Sequence, residues 1–244
     1  MVLLHYQPPT KPYLKILFQD EDILVLEKPS GLLSVRGRAP QHFDSLQTRV
    51  QTVYPTASVV HRLDMATSGI MLMALSKDVN SNLSRQFQQR DVDKTYIARV
   101  YGTHIPDSGS VDLPLICDWP NRPKQKVDHE QGKPSLTHYH CLHRDQYSAL
   151  MELKPVTGRS HQLRVHMQAI GHPILGDRLY ANEPALAASE RLLLHAHSIS
   201  FNHPTTGQRI AFESNHGFNT EPNAEIKHEH QAFIKVHYAD SSTK

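Results

Sequence analysis

The sequence has little cysteine and no long hydrophobic run. Cys117 and Cys141 form no CxxC pair and lack zinc-ligand spacing, and two cysteines in 244 residues fit a reducing compartment better than a disulfide-rich secreted fold. His5, Gln7 and several prolines interrupt the N-terminal segment, so it lacks the layout of a signal peptide. A membrane span needs about 18 uninterrupted apolar residues. We therefore expect a cytoplasmic protein without a membrane partner.

Sequence motifs for nucleotides, acyl transfer and metals are also missing. The glycines of TSG, KPSG and VTGRS are single, so they form neither GxxxxGKS/T nor GxGxxG, and no GxSxG occurs. The 18 histidines invite a metal hypothesis, but His161 and His166 are five residues apart and the pair at 195 and 197 completes no zinc signature. The sequence therefore predicts no metal site and no cofactor.

Net charge excludes little, because 26 Lys and Arg against 24 Asp and Glu give only +2. Attraction to phosphate is local and screened over about 10 Å, so clustering matters more than the total. The proline-interrupted segment 117–127, read as a loop, carries Arg122, Lys124 and Lys126 with no acid after Asp118. These cations are candidate RNA phosphate contacts, and a merely solvated loop is the alternative.

The remaining pattern alternates short strands with two amphipathic helices. Strands are predicted at 16–33 (two, around an acidic turn), 69–76 and 94–102, a hairpin at 137–158, strands at 192–214, and helices at 78–90 (N-cap Asp78) and 160–171 (N-cap Ser160). This order predicts an α+β fold, with a mixed, mostly antiparallel β-sheet flanked by helices and loops.

The simplest partition is one catalytic domain over 16–214. Residues 1–15 form an N-terminal extension, and 215–244 form a polar tail that we expect to be loosely ordered. The sequence shows no internal repeat and no coiled-coil or long apolar stripe, so we expect a monomer.

One short stretch combines an arginine, a carboxylate and a turn. HRLDMATSGI places Arg62 two residues before Asp64, and Thr67-Ser68-Gly69 then leads into an apolar strand. A surface salt bridge explains the arginine and aspartate by themselves. The turn amides and the anchoring strand instead favour a fixed, partly desolvated carboxylate.

Four stretches in the same order resemble the RluA family of pseudouridine synthases. They are HRLDMATSGIMLMAL, EDILVLEKPSGLLSV (21–35), DKTYIARVYG and KPVTGRSHQLRVHMQAIGHPILGDRLY (154–180), and the resemblance covers about residues 16–213. The loop LPLICDWPNRPKQKV further resembles members of dual specificity, which implies a uridine in the tRNA anticodon loop and one in 23S rRNA as substrates. No N-terminal S4 RNA-binding domain is recognised, so the catalytic domain's own loops are expected to bind RNA.

The resemblance implies a role for each matched residue. Asp64 matches the essential aspartate, which acts on the ribose as nucleophile at C1′ or as base at C2′. Arg164 matches its basic partner, and Tyr96 matches the residue that stacks on the base and takes the C5 proton late. Arg62, with His61 beside it, matches the group that binds RNA and fills the space of the flipped uridine.

Leu163 matches a position in the uridine pocket, for which core packing is an equal interpretation. Two rival functions stay open at this point. A non-catalytic RNA-binding or chaperone module on the same fold would bind RNA without forming pseudouridine. A metal-dependent nuclease would cleave RNA and lose its activity in a chelator.

Overall fold

The computed structural model describes residues 6–218, which form two compact units. The first unit contains residues 7–94 and 196–215, and the second unit contains Tyr6 with residues 95–195 and 216–218. The predicted catalytic domain over 16–214 includes parts of both units and stays a prediction. Most of the predicted tail and the first five residues of the predicted extension lie outside the described residues.

The described residues combine many strands with few helices, which confirms the α+β prediction. The strands are β1 Ile16–Gln19, β2 Ile23–Lys28, β3 Ser58–Val59, β4 Ser68–Ala74, β5 Asp93–Tyr101, β6 Ser108–Asp112, β7 Leu115–Cys117, β8 Gln125–Val127, β9 Leu136–Arg144, β10 Ser148–Pro155, β11 Leu194–Asn202 and β12 Arg209–Glu213. The helices are α1 Leu46–Gln51, α2 Lys77–Gln89, α3 Gln162–Ala169 and α4 Glu183–Ala187.

In the first unit the strand order is β1-β2-β4-β11, with β3 paired to β4 and β12 paired to β11. Strands β2 and β4 are antiparallel, and Lys28 at the end of β2 lies opposite Gly69 at the start of β4. Both strands are nearly continuous apolar runs and are buried on both faces. Val79 and Leu83 of α2 pack into the core on one of these faces.

Helix α2 confirms the predicted amphipathic helix but begins earlier than predicted. Ser76 is the N-cap, and its side chain accepts a hydrogen bond from the Val79 amide at 3.3 Å. Asp78, the predicted N-cap, lies in the first turn, where its negative charge interacts favourably with the positive end of the helix dipole. The predicted cap was therefore wrong by two residues.

The second unit contains the antiparallel strand order β5-β10-β9-β6 and the separate two-stranded pair β7-β8. Strands β9 and β10 confirm the predicted hairpin. Helix α3 confirms the predicted helix, but its N-cap is His161, in the left-handed region at φ 55°, and not Ser160. The helix begins after His161 because the left-handed backbone of that residue turns the chain there, and no side chain caps this end.

Candidate active site

The loop 61–67 connects β3 to β4 and carries the predicted catalytic aspartate. Along it the Arg62 side chain is exposed, Leu63 is buried, and Asp64 is partly exposed. The amide of Thr67 donates to the backbone carbonyl of Asp64 at 3.1 Å. That turn amide therefore closes the loop through the backbone of Asp64.

A second segment, 28–34, fastens this loop. Ser34 Oγ donates to the Leu63 carbonyl at 2.7 Å and accepts from the Leu63 amide at 3.0 Å. Ser30 Oγ donates to the Ala66 carbonyl at 2.7 Å, and the Gly31 amide donates to the Met65 carbonyl at 2.8 Å. The pairing of β2 with β4 brings these segments side by side, because one leaves β2 where the other enters β4. We call segments 28–34 and 61–67 the loop pair.

Lys28 is the buried cation of the loop pair. Its side chain is fully buried, and its ammonium donates to the carbonyl oxygens of Pro29 at 2.9 Å, Leu32 at 2.8 Å and Met65 at 3.1 Å. Burial lowers the pKa of Lys28 to about 7, and the negative charge of Asp64 acts in the opposite direction. The sequence interpretation quoted this lysine within EDILVLEKPSGLLSV but did not assign it a role.

His61 is fixed within the first unit. The Leu72 amide of β4 donates to its Nε2 at 2.9 Å, and its ring stacks on Phe87 of α2 with centroids 4.9 Å apart. Burial lowers the pKa of His61 to about 3, and the charge of Lys94 adds to this effect. His61 is therefore a neutral imidazole that orients the start of the loop, and RNA contact by it stays a prediction.

The exit of the loop requires a glycine. Gly69 has φ +114°, and a Cβ built there would lie 2.3 Å from the backbone oxygen of Ala196 in β11. No side chain fits so close to a neighbouring backbone atom, so only glycine lets β4 start directly after the loop.

Arg164, on α3 of the second unit, lies in a buried ion pair that the sequence interpretation missed. It is only 4% exposed, and its Nε and Nη2 donate to the two carboxylate oxygens of Asp177, each at 2.7 Å. Its guanidinium also lies 5.0 Å from the ring centroid of Tyr180. Asp177 fixes the orientation of the Arg164 guanidinium. The predicted pairing of Arg164 with Asp64 stays a prediction.

Two further predicted residues lie in the second unit. Leu163 precedes Arg164 on α3 and is buried, so its location fits a core position as well as a pocket position. Tyr96 lies in β5 opposite Leu153 of β10 and is partly exposed. Their roles in binding uridine stay predictions.

The predicted basic loop contains two short strands. Residues 115–127, which we call the basic hairpin, consist of β7, the 3₁₀ turn Trp119–Asn121 and β8. Arg122 and Lys126 are exposed and Lys124 is partly exposed. The prediction of a loop over 117–127 was wrong at both ends, because Cys117 pairs with Gln125 and Val127 pairs with Leu115. Leu115 and Val127 also pack with Val165 of α3.

Tyr180 connects this hairpin to the start of α3. Its hydroxyl accepts a hydrogen bond from the Gln125 amide at 2.8 Å and lies 2.7 Å from His161 Nδ1. The structure thus brings Arg62, Asp64 and His61 together on one loop of the first unit. In the second unit it connects the basic hairpin with the helix that carries Leu163 and Arg164.

Within residues 6–218 no group of three or more His, Cys, Asp or Glu side chains is arranged to hold a metal ion. Over the same residues, no helix has the length and apolar character that crossing a bilayer demands.

Comparison with known proteins gives consistent matches. The profile of a family described as "RNA pseudouridylate synthase" matches residues 22–169. The chain is 55% identical over 215 residues to the "Dual-specificity RNA pseudouridine synthase RluA" of Escherichia coli (strain K12), covering 88% of this chain and 98% of that protein. It is 56% identical to the protein of the same name from Vibrio vulnificus (strain CMCP6), covering 84% of each.

Solved structures agree with these matches. "Human RNA Pseudouridylate Synthase Domain Containing 1" superposes with a TM-score of 0.71 at 28% identity, covering 86% of each chain. "Human RNA Pseudouridylate Synthase Domain Containing 4" has a TM-score of 0.67 at 26% identity, covering 82% of this chain and 88% of that one.

Proposed function

Since this chain belongs to the RNA pseudouridylate synthase family and is an isomerase that acts on RNA, we propose that Asp64 is the residue that acts on the uridine. The reaction breaks the bond between N1 and C1′, turns the base and joins C5 to C1′. A proton leaves C5 and one binds N1, so atoms balance without a group donor or a redox partner.

The rigidity of the loop pair carries this assignment. Asp64 lies on a loop whose Leu63, Met65 and Ala66 are each hydrogen-bonded to segment 28–34. A carboxylate on a fixed backbone stays oriented toward a ribose, whether it attacks C1′ or removes a proton from C2′. Both routes need the ionised carboxylate.

The other roles follow the family resemblance and fit the local structure. The exposed guanidinium of Arg62 is planar and suits the space that a flipped uridine leaves in its stack. Tyr96 offers a partly exposed ring for stacking on the base. Arg164 is oriented by Asp177 and serves as the basic partner of the reaction.

The substrates we propose are a tRNA anticodon loop and 23S rRNA. The similar bacterial proteins are named dual-specificity RNA pseudouridine synthases, and they match nearly the whole chain. We also propose that the protein acts as a cytoplasmic monomer without a metal or cofactor.

Asp64→Asn tests the catalytic assignment. We expect pseudouridine formation to fall to background in a transcribed tRNA substrate, because the amide neither attacks C1′ nor removes a proton. RNA affinity should stay within about threefold, since the substitution leaves the shape of the loop intact. Release of tritium from uridine labelled at C5 measures the reaction, and filter binding measures affinity.

Asp78→Asn is the matched control, because Asp78 is an exposed aspartate in the same unit; it should retain wild-type activity. Full turnover by Asp64→Asn would overturn the assignment. A wild-type protein that binds RNA tightly and forms no pseudouridine would favour the non-catalytic alternative.

A further inference from the structure

The tip of the basic hairpin exposes a large aromatic ring. Trp119 is the single tryptophan of the chain, and it is 64% exposed in the 3₁₀ turn between β7 and β8. An exposed indole leaves much apolar area in water, which favours covering it on binding a partner.

One face of this ring is already occupied. The Arg122 guanidinium lies 4.1 Å from the Trp119 ring centroid, which is a close cation–π contact. Because one guanidinium covers one face of an indole, the large exposed fraction of Trp119 leaves the opposite face open to solvent. The arginine holds the ring in a defined orientation and places a positive charge beside it.

Hydrogen bonds make the tip rigid. The Asp118 amide donates to the Lys124 carbonyl at 2.9 Å, and the Lys124 amide donates to the Asn121 carbonyl at 3.0 Å. The Asn121 side chain donates to the Asp118 carboxylate at 2.9 Å. A ring on such a turn loses little conformational freedom when it binds a ligand.

The base of the hairpin is anchored in the core of the second unit. Leu115 is buried with Val165 and Tyr180, and the Gln125 amide donates to the Tyr180 hydroxyl. A ligand on Trp119 is therefore held at a fixed place relative to α3.

Charge decides which ligand fits. Within the basic hairpin Arg122, Lys124 and Lys126 are cations and Asp118 is the acid. Just beyond the hairpin lie the exposed Lys133, whose backbone pairs with Leu115, and the acids Asp128 and Glu130. Lys126 is paired with Asp128 at 3.2 Å. The surplus of cations beside an aromatic face suits an anionic chain that carries flat rings, which describes single-stranded RNA.

We propose that an unpaired nucleobase of the RNA, other than the uridine that reacts, stacks on the open face of Trp119. The phosphates flanking that base contact Arg122 and Lys124. This interaction rests on RNA being the substrate, and it adds a contact that selects RNA loops with a base free to leave its stack.

The single tryptophan makes the contact directly measurable. A tRNA anticodon stem-loop RNA should quench the emission of the wild-type protein, because a stacked base quenches indole fluorescence. A fully paired duplex of the same length should leave the emission nearly unchanged. Replacing loop nucleotides one at a time by abasic sites should abolish the quenching at one position.

Substitution gives the second arm. Trp119→Ala should raise the KM for the stem-loop by about 5- to 50-fold and leave kcat unchanged, because base stacking contributes to binding and not to the chemical step. Trp119→Phe should stay within about threefold of wild type. Tyr147→Ala is the matched control, since Tyr147 is 67% exposed at the β9–β10 turn of the same unit; it should change neither constant.

Trp119 is exposed, so its removal opens no cavity, and unchanged thermal unfolding should accompany the kinetic effect. If the stem-loop does not quench the emission and Trp119→Ala has a wild-type KM, the stacking proposal is overturned. The catalytic proposal would still stand in that case, provided that the wild-type protein forms pseudouridine. Quenching by the stem-loop without any pseudouridine would support stacking and instead overturn the catalytic proposal.

Discussion

The loop pair and the basic hairpin are both built on antiparallel strands, but they use polar groups in opposite ways. In the loop pair the polar side chains of Lys28 and Ser34 are buried and bonded to backbone. In the basic hairpin the charged side chains of Arg122 and Lys126 are exposed to water. The loop pair uses its polar side chains to hold its own backbone, whereas the basic hairpin leaves its charged side chains at the surface.

The difference fits the two roles that we propose for these regions. A carboxylate that acts on a single carbon must be held within a fraction of an ångström, and buried hydrogen bonds provide that precision. Contacts with phosphates and bases tolerate small displacements and work through water-exposed charge. Substitutions in the loop pair should therefore alter stability and kcat, whereas substitutions in the hairpin should alter RNA affinity.

Among the substitutions that test this comparison, Lys28→Met should change stability and kcat the most. The substitution leaves three carbonyl oxygens without their ammonium donor, so we expect the free energy of unfolding to fall by about 3 kcal/mol. Displacement of the Asp64 loop should lower kcat by about 100-fold. Urea unfolding and single-turnover kinetics measure the two effects, and Lys77→Met, at an exposed position, is the control. A stable and fully active Lys28→Met variant would show that the buried polar groups of the loop pair are not needed for its geometry.

The same lysine gives the loop pair a pH dependence. Its pKa is about 7 in the folded protein and 10.5 ordinarily, so the unfolded chain binds more protons between these values. The free energy of unfolding of wild type, measured relative to Lys28→Met, should therefore rise from pH 7 toward pH 10. A difference that stays flat or falls over this range would contradict the low pKa.

Ser34→Ala should have a smaller effect of the same kind. The buried hydroxyl both donates to and accepts from the backbone of Leu63, so its loss should cost about 1–2 kcal/mol of unfolding free energy. Ser81→Ala removes an exposed serine of α2 and should cost less than about 0.5 kcal/mol. Equal costs at the two positions would show that burial does not distinguish the loop pair.

Lys124→Ala should have the smallest effect on stability and a clear effect on binding. We expect the unfolding free energy to stay within about 0.5 kcal/mol, because the side chain lies at the surface. The slope of log affinity against log salt for the stem-loop RNA should become shallower by about one. An unchanged slope would argue that Lys124 does not contact phosphate.

Much of the fold was predictable because its signals are local. The apolar run GIMLMALS over 69–76 predicted β4, and the spacing of Val79, Leu83 and Phe87 predicted α2. The helix starts were less accurate, since Ser76 and His161 replaced the predicted caps. Several polar residues precede each helix; Ser76 caps α2 through the Val79 amide, whereas a left-handed residue that no side chain caps begins α3.

The candidate site residues were predicted only where a motif named them. Asp64 and Arg62 were predicted from HRLD and the family resemblance, and their loop is hydrogen-bonded to segment 28–34. The buried contacts of Lys28 and Asp177 were not predicted, because they come from burial and from partners distant in sequence. From sequence alone, the lysine of KPSG and the aspartate of GDRLY look like residues of exposed turns. Only the folded structure shows that other segments bury them.

The sequence by itself determined the α+β class, the family, and the order of the four segments that resemble it, because periodicity and motif order are properties of the chain. Only the tertiary structure decided that Lys28 is a buried cation with a pKa near 7, that Asp177 holds Arg164, and that Trp119 remains exposed beside Arg122. Desolvation, paired charge and exposure depend on which segments pack together, and that information is spread over the whole fold.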